Sequence, residues 1–204
     1  MILDPHTGWL DGARIEPSPN FDQRPERVEP ECIVLHCISL PPGDYGQNFI
    51  TRLFLNTLPA DAHPYFEGIA NLKVSAHFLI DRLGNVTQFV STHDRAWHAG
   101  ESVCLQRPRV NDFSIGIELE GLDTDPDGFT DAQYMSLNPL IATLKTAHPK
   151  INDTHLFSHS DIAPTRKPDP KMNLKYYTSD IHRAAFVLPA FAESKIAPFR
   201  KRKQ

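Results

Sequence analysis

Two histidines and a short proline-braced segment carry the strongest chemical signal in this 204-residue chain. His36 interrupts an apolar run, Cys32-Ile-Val-Leu-His-Cys-Ile38, just before Pro41-Pro42-Gly43. Such a run reads as a buried strand, and the Pro-Pro-Gly sequence as the loop that ends it. His159 closes a second short apolar stretch and is followed by Ser-Asp-Ile-Ala-Pro-Thr-Arg-Lys-Pro-Asp-Pro170. Pro168 and Pro170 bias Lys167 and Asp169 toward extended backbone, which holds an ammonium and a carboxylate in a fixed relation at little entropic cost. Two imidazoles and one carboxylate form a set that Zn²⁺ accepts in catalytic sites, with the fourth tetrahedral position left to water. Scattered ligands are a weak pattern beside a paired-cysteine motif, and a hydrogen-bonded core histidine accounts for His36 taken alone. A further candidate is a pair of carboxylates. Over residues 113–120, Ile115, Ile117 and Leu119 alternate with Gly116, Glu118 and Glu120, so both glutamates leave one side of a core strand. Alternation does not choose between them.

The elements that position these groups follow from periodicity and punctuation. Residues 1–30 are rich in proline and charge with little periodicity, and are expected as an extended arm over the domain. A short helix is expected over 47–55, and a strand over 74–80 that turns through Asp81-Arg-Leu-Gly-Asn85 into a hairpin partner over 86–90. Thr130 and Gln133 form a capping box opening a helix to about Ala147, with Tyr134, Leu137, Ile141 and Leu144 at helical spacing. Pro139 predicts a kink or break over 135–138. Another strand is expected over 154–159 and a last helix within 174–187. The pattern implies an α/β (α+β) single domain over 31–190, with a central mixed sheet flanked by helices, and a basic tail over 191–204.

Composition narrows the function classes. Net charge is −4, with 40% hydrophobic and 23% charged residues, the profile of a globular protein. A fold of this length hides about 70% of its unfolded surface, so a metal here would serve chemistry rather than folding. No broad basic face is present to bind nucleic acid. Three cysteines at irregular spacing, Cys32, Cys37 and Cys104, are no disulfide framework and point to a reducing compartment. Asp4 and the lack of an apolar run near the start argue against a signal peptide, and the apolar stretch over 184–192 is too short to span a bilayer. The expectation is a cytoplasmic protein with no membrane and no obligate protein partner.

Several longer runs carry a resemblance: Val34-Leu-His-Cys-Ile-Ser-Leu-Pro-Pro-Gly43, His63-Pro-Tyr-Phe66, Val74-Ser-Ala-His77, Arg95-Ala-Trp-His-Ala-Gly100, Asn111-Asp-Phe-Ser-Ile-Gly-Ile-Glu-Leu-Glu-Gly121 and His159-Ser-Asp-Ile-Ala-Pro164 with Arg166-Lys167-Pro-Asp169. In this order they resemble AmpD-type N-acetylmuramoyl-L-alanine amidases, from about Gly8 to the expected last helix. The resemblance implies a peptidoglycan-recognition/amidase-like fold and a zinc ion held by His36, His159 and Asp169. It matches the catalytic carboxylate to Glu118, the catalytic lysine to Lys167 and the active-site tyrosine to Tyr65, which leaves Glu120 as a hydrogen-bonding neighbour or a surface residue. Glu118 would be general base, Lys167 would stabilise the oxyanion, and Tyr65 would orient the substrate carbonyl. The implied bond joins the lactyl group of N-acetylmuramic acid, preferentially the 1,6-anhydro sugar, to L-alanine of the stem peptide, in cytoplasmic peptidoglycan recycling. Lys73, Trp97 and Arg109, with Arg95 and Arg107, would meet this small muropeptide, and His77 and His98 would support the ligands from behind. Three departures stand out: Cys37 replaces the usual asparagine and is expected on the opposite strand face from His36, Lys171 stands where glycine is common, and Pro139 interrupts the long helix. Alternative readings are a same-fold amidase acting on intact peptidoglycan and a muropeptide-binding module without activity.

Overall fold

The computed structural model describes residues 1–122 and 128–166. Four short strands come first, β1 (Ile2–Leu3), β2 (Leu10–Asp11), β3 (Arg14–Ile15) and β4 (Phe21–Gln23), followed by β5 (Cys32–Ile38) and helix α1 (Phe49–Phe54). Then come β6 (Phe78–Ile80), β7 (Val86–Gln88), β8 (Asp94–Ala96), β9 (Val103–Cys104), β10 (Arg107–Pro108) and β11 (Ser114–Glu120). Helix α2 (Asp131–Ala147), β12 (Leu156–Ser158) and the single turn α3 (His159–Ile162) complete the described chain. The last expected helix and the basic tail lie outside the described residues.

Six strands form a mixed sheet in the order β12-β5-β11-β6-β7-β3. The first four of these run parallel, β7 returns antiparallel beside β6, and β3 closes the edge parallel to β7. The α/β class read from the sequence is what the chain adopts. The leading residues lie over the domain as an arm that also takes part in pairing: β3 joins the main sheet, and β4 pairs antiparallel with β8. Fully buried Gln88 ties this arm down, accepting from Leu10 N–H at 2.7 Å and donating to the Gly8 carbonyl at 2.8 Å.

One face of the sheet follows the strand alternation closely. Ile33, Leu35, Ile115, Ile117 and Leu119 are buried against Leu137, Leu140, Ile141 and Leu144 of α2 in one continuous cluster, and Cys37 packs against it. The cysteine thus stands on the opposite side of β5 from His36. Thr130 Oγ1 accepts from Gln133 N–H and the Gln133 side chain accepts from Thr130 N–H, so the expected capping box forms. The break expected near Pro139 does not occur, and α2 runs unbroken to Ala147. Pro139 sits on the exposed side of the helix, where water can satisfy the Met135 carbonyl that loses its partner.

Three strands, β6, β7 and β12, are shorter than periodicity suggests. At Val74 and Ser75 the backbone bonds leave the ladder: the Val74 carbonyl accepts from the Asn20 side chain at 2.8 Å, and Ser75 N–H donates to the Trp97 carbonyl at 3.1 Å. β12 ends at Ser158, whose side chain caps α3, so His159 opens a helical turn instead of ending a strand.

Candidate active site

The second face of the sheet carries the chemistry. In the parallel register Glu118 of β11 lies opposite His36 of β5, with Gly116 opposite Val34. Period-two alternation then puts His36, Glu118 and Gly116 on one face. Below them this face is apolar, with Cys32, Val34, Ala99, Cys104, Val110, Phe113 and Ile162 in one cluster. Above them it turns polar, although His36 is 2% exposed and Glu118 8%.

β12 pairs with β5 and delivers His159 to the same place. His36 Nδ1 lies 2.9 Å from His159 Nδ1. The remaining nitrogen of each ring has its own contact: His36 Nε2 lies 2.9 Å from His98 Nδ1, and His159 Nε2 3.3 Å from the Ala99 carbonyl. Two imidazole nitrogens facing each other at this distance, each ring anchored through its other nitrogen, are a donor arrangement that suits Zn²⁺. Among the described residues no group of three metal-binding side chains converges. Asp169 and Lys167, the expected third ligand and oxyanion partner, lie outside the described residues.

The loop carrying His98 and Ala99 is fixed from several sides. Asn111 Oδ1 accepts from His98 N–H at 3.2 Å and from Ala99 N–H at 2.8 Å. Gly116 leaves room for the imidazole, since a Cβ there would stand 2.5 Å from His98 Cγ. His77 is fully buried, accepts at Nδ1 from Gly116 N–H at 3.0 Å and donates from Nε2 to the Asp94 carbonyl at 3.1 Å. Burial, with the Arg24 guanidinium beside it, holds His77 well below the ordinary histidine range and hence neutral.

Arg24, from the arm, is a positioning group that sequence reasoning missed. Its guanidinium donates to the carbonyls of Asn111, Asp112 and Ser114 at 3.2, 2.9 and 2.9 Å, and also reaches that of Thr92. Desolvation lowers its pKa to about 10, which leaves it charged at neutral pH. A lone arginine in a proline-rich, unperiodic segment carries no pattern that would single it out.

Glu120, two residues beyond Glu118, has a separate task. It is 3% exposed and accepts from Gly46 N–H at 2.7 Å and from Arg82 N–H at 3.1 Å, fastening the loop after β5 to the β6–β7 turn.

The expected substrate-binding residues spread over the surface. Tyr65 lies on a 3₁₀ turn over Pro64–Gly68 and is 46% exposed. Lys73 is exposed and Trp97 half-buried. Trp97 Nε1 donates to Asp22 Oδ1 at 3.2 Å, and Arg95 bridges Asp22 to Asp112, donating to Asp112 Oδ1 at 2.6 Å. These hydrogen bonds hold the Asp22 carboxyl below its usual range. Arg109 Nη2 reaches Asp112 Oδ2 at 2.9 Å, and Arg107 pairs with Glu31 at 2.6 Å while lying over the Phe113 ring. Trp97 and Arg109 therefore belong to one network with Arg95 at its centre. Arg95 and Arg107 serve the fold through these carboxylates.

Comparison with known proteins points to one family. Residues 26–172 match the family model for N-acetylmuramoyl-L-alanine amidase. The 1,6-anhydro-N-acetylmuramyl-L-alanine amidase AmpD of Citrobacter freundii is 51% identical over 170 residues, covering 83% of this chain and 88% of that protein. The protein of the same name from Enterobacter cloacae is 53% identical over 170 residues, with the same 83% and 88% coverage. Among solved structures, the crystal structure of a selenomethionine AmpD derivative superposes with a TM-score of 0.79 at 51% identity, covering 83% of this chain and 92% of that one. The chain belongs to the N-acetylmuramoyl-L-alanine amidase family and is an enzyme of that type.

Proposed function

We propose that this enzyme is a zinc-dependent 1,6-anhydro-N-acetylmuramyl-L-alanine amidase that acts on small muropeptides in cytoplasmic peptidoglycan recycling. The observation that carries the reading is the pair of Nδ1 atoms, His36 and His159, held 2.9 Å apart beside the strand position of Glu118. Relatives at 51% and 53% identity that bear this activity in their names support it. Three free cysteines support a reducing setting, and no helix among the described residues is long and apolar enough to cross a membrane.

His36, His159 and Asp169 would hold the zinc. When bound, it supplies Lewis acidity, polarising the scissile carbonyl and acidifying water. Glu118 takes the proton from the attacking water and returns it to the leaving amine of L-alanine. Its placement on a buried strand keeps the carboxylate fixed and shielded, which strengthens its interaction with developing charge. Lys167 pairs with the oxyanion, and Tyr65, on its exposed turn, orients the carbonyl. Lys73 and Arg109 meet the carboxylates of the stem peptide, while Trp97 offers a half-buried ring to sugar or peptide.

The test measures zinc content and release of stem peptide from anhydromuropeptide for wild type, Asp169→Ala and Glu118→Ala. Asp169→Ala loses zinc and activity together. Glu118→Ala keeps zinc and loses activity by roughly a hundred- to ten-thousand-fold. Full activity in protein stripped of zinc would falsify the reading. Faster turnover of polymeric sacculus than of anhydromuropeptide would assign the enzyme to intact peptidoglycan, and tight binding without cleavage would make it a recognition module.

A further inference from the structure

Glu118 and Glu120 leave the same side of β11, one two-residue step of about 7 Å apart, yet they serve different neighbours. Glu118 lies opposite His36, whereas Glu120 lies opposite Ile38 at the last rung of the β5–β11 register. Beyond that rung the chain after β5 curls back over the carboxyl ends of the parallel strands, the edge at which such sheets collect their ligands. Its first residues, Ser39, Leu40 and Pro41, are buried, while Pro42, Gly43 and Asp44 are exposed. Two ties shape this loop from within: the Ser39 hydroxyl accepts from Gly43 N–H and the Pro41 carbonyl from Asp44 N–H, each at 3.0 Å. Neither fixes where the loop stands relative to Glu118. That is done from outside, by Glu120 Oε1 on Gly46 N–H at 2.7 Å and by Arg82, whose guanidinium carbon lies 4.8 Å from the centre of the Tyr45 ring. Glu120 Oε2 holds Arg82 in turn through its backbone N–H at 3.1 Å, and Arg82 Nη1 donates to the Gly128 carbonyl at 2.8 Å. One buried carboxylate thus fastens both supports of the loop.

We infer that Glu120 is a positioning residue for substrate fit: by seating residues 39–46 it sets one wall of the approach to Glu118, and so governs how tightly this amidase holds its substrate rather than how fast it cuts. The inference rests on the amidase activity of the family and not on the metal. A carboxylate has two acceptor oxygens, and here both are used on N–H donors. A glutamine amide has one, and its NH₂ would meet the second donor head-on. Loss of either tie frees the loop to leave the position that binds. Substrate then selects the remaining fraction of molecules with the loop in place. KM rises by the inverse of that fraction, and kcat is kept because the bound enzyme is the same in both. Gly46 gives an independent handle on the same tie. Its φ is 73°, which an L side chain resists, and a Cβ there meets nothing within 4 Å among the described residues. Gly46→Ala therefore strains the loop at the tie without disturbing the core.

The experiment measures kcat and KM for release of stem peptide from anhydromuropeptide by the full-length wild type, Glu120→Gln, Gly46→Ala and the double variant. Metal content and urea unfolding of each protein are recorded alongside. Glu120→Gln and Gly46→Ala each raise KM about tenfold and hold kcat within about twofold, at wild-type metal content. The double variant is no worse than the larger single change, because both release one tie, whereas separate effects would multiply. An unchanged KM in folded Glu120→Gln, a fall in kcat at constant KM, or KM effects that multiply in the double variant overturns the inference. Where urea unfolding shows that Glu120→Gln does not fold, Gly46→Ala decides alone by the same split. A wild type that cuts soluble peptidoglycan fragments but no anhydromuropeptide ends the substrate reading above; the four proteins are then compared on those fragments, where the same rise in KM at constant kcat is expected and its absence overturns the inference.

Discussion

The two faces of the central sheet are built from the same strands yet ask different things of their side chains. On the side of α2, Ile33, Leu35, Ile115, Ile117 and Leu119 are interchangeable in kind, because a helix covers them evenly and each needs only volume and an apolar surface. On the other side, Val34, His36, Gly116 and Glu118 differ at every step, because loops cover them and each meets a different partner. Burial does not separate the faces, since all of β11 is buried. What separates them is the chemistry of the covering element. A covering helix presents a uniform apolar stripe with its backbone bonds closed within itself, while the loop through His98 presents ring nitrogens and free carbonyls that must be matched one by one.

Neighbouring residues of β11 turn this contrast into a measurement. Ile117→Ala opens a cavity under α2 and lowers unfolding free energy by about 2–5 kcal/mol, with zinc affinity per folded molecule kept. Gly116→Ala drives a methyl group to 2.5 Å from His98 Cγ, which costs roughly 1–3 kcal/mol of stability and weakens zinc binding, since the ring has to move. Urea denaturation and dye competition on both variants check the pair. Zinc binding weakened equally by both substitutions would show that the faces are not independent.

The same contrast explains what could be read in advance. The α2 face and the capping box at Thr130 were legible because periodicity and local hydrogen bonding are written in adjacent residues. Alternation also gave the face on which Glu118 stands, though choosing it over Glu120 required the family resemblance. The structure supplies the separate reason for Glu120: both its oxygens accept from loop N–H groups. Arg24, Asp22 and Asn111 were not singled out, because each acts on backbone or side chains far away in sequence and no local spacing encodes such a partner. The proline break in α2 failed for a related reason, since exposure of Pro139 is a tertiary fact. Lys167 and Asp169 fall outside the described residues, so their roles rest on the motif.

A smaller effect tests whether the polar face is held in a single charge state. His77 lies behind His98, facing Arg24, His98 and the Asp94 backbone, with a longer-range influence from His148. Burial and the nearby cation depress its pKa in the folded protein, so it stays neutral where an unfolded chain's histidine takes a proton. The sign follows from proton counts. Above about pH 6.5 neither state holds the extra proton and His77 adds no pH dependence. Below that point the unfolded state binds more protons, and stability falls with acidification by about 1.4 kcal/mol per pH unit for each such group. Comparing unfolding free energies at about pH 7.5 and about pH 5 for wild type and His77→Asn isolates its share, because asparagine can still accept from Gly116 N–H and has no proton to gain. The wild type is expected to lose more stability over this interval than the variant. Equal losses would mean that His77 does not contribute the restraint, and that the polar face tolerates a charge where its geometry implies none.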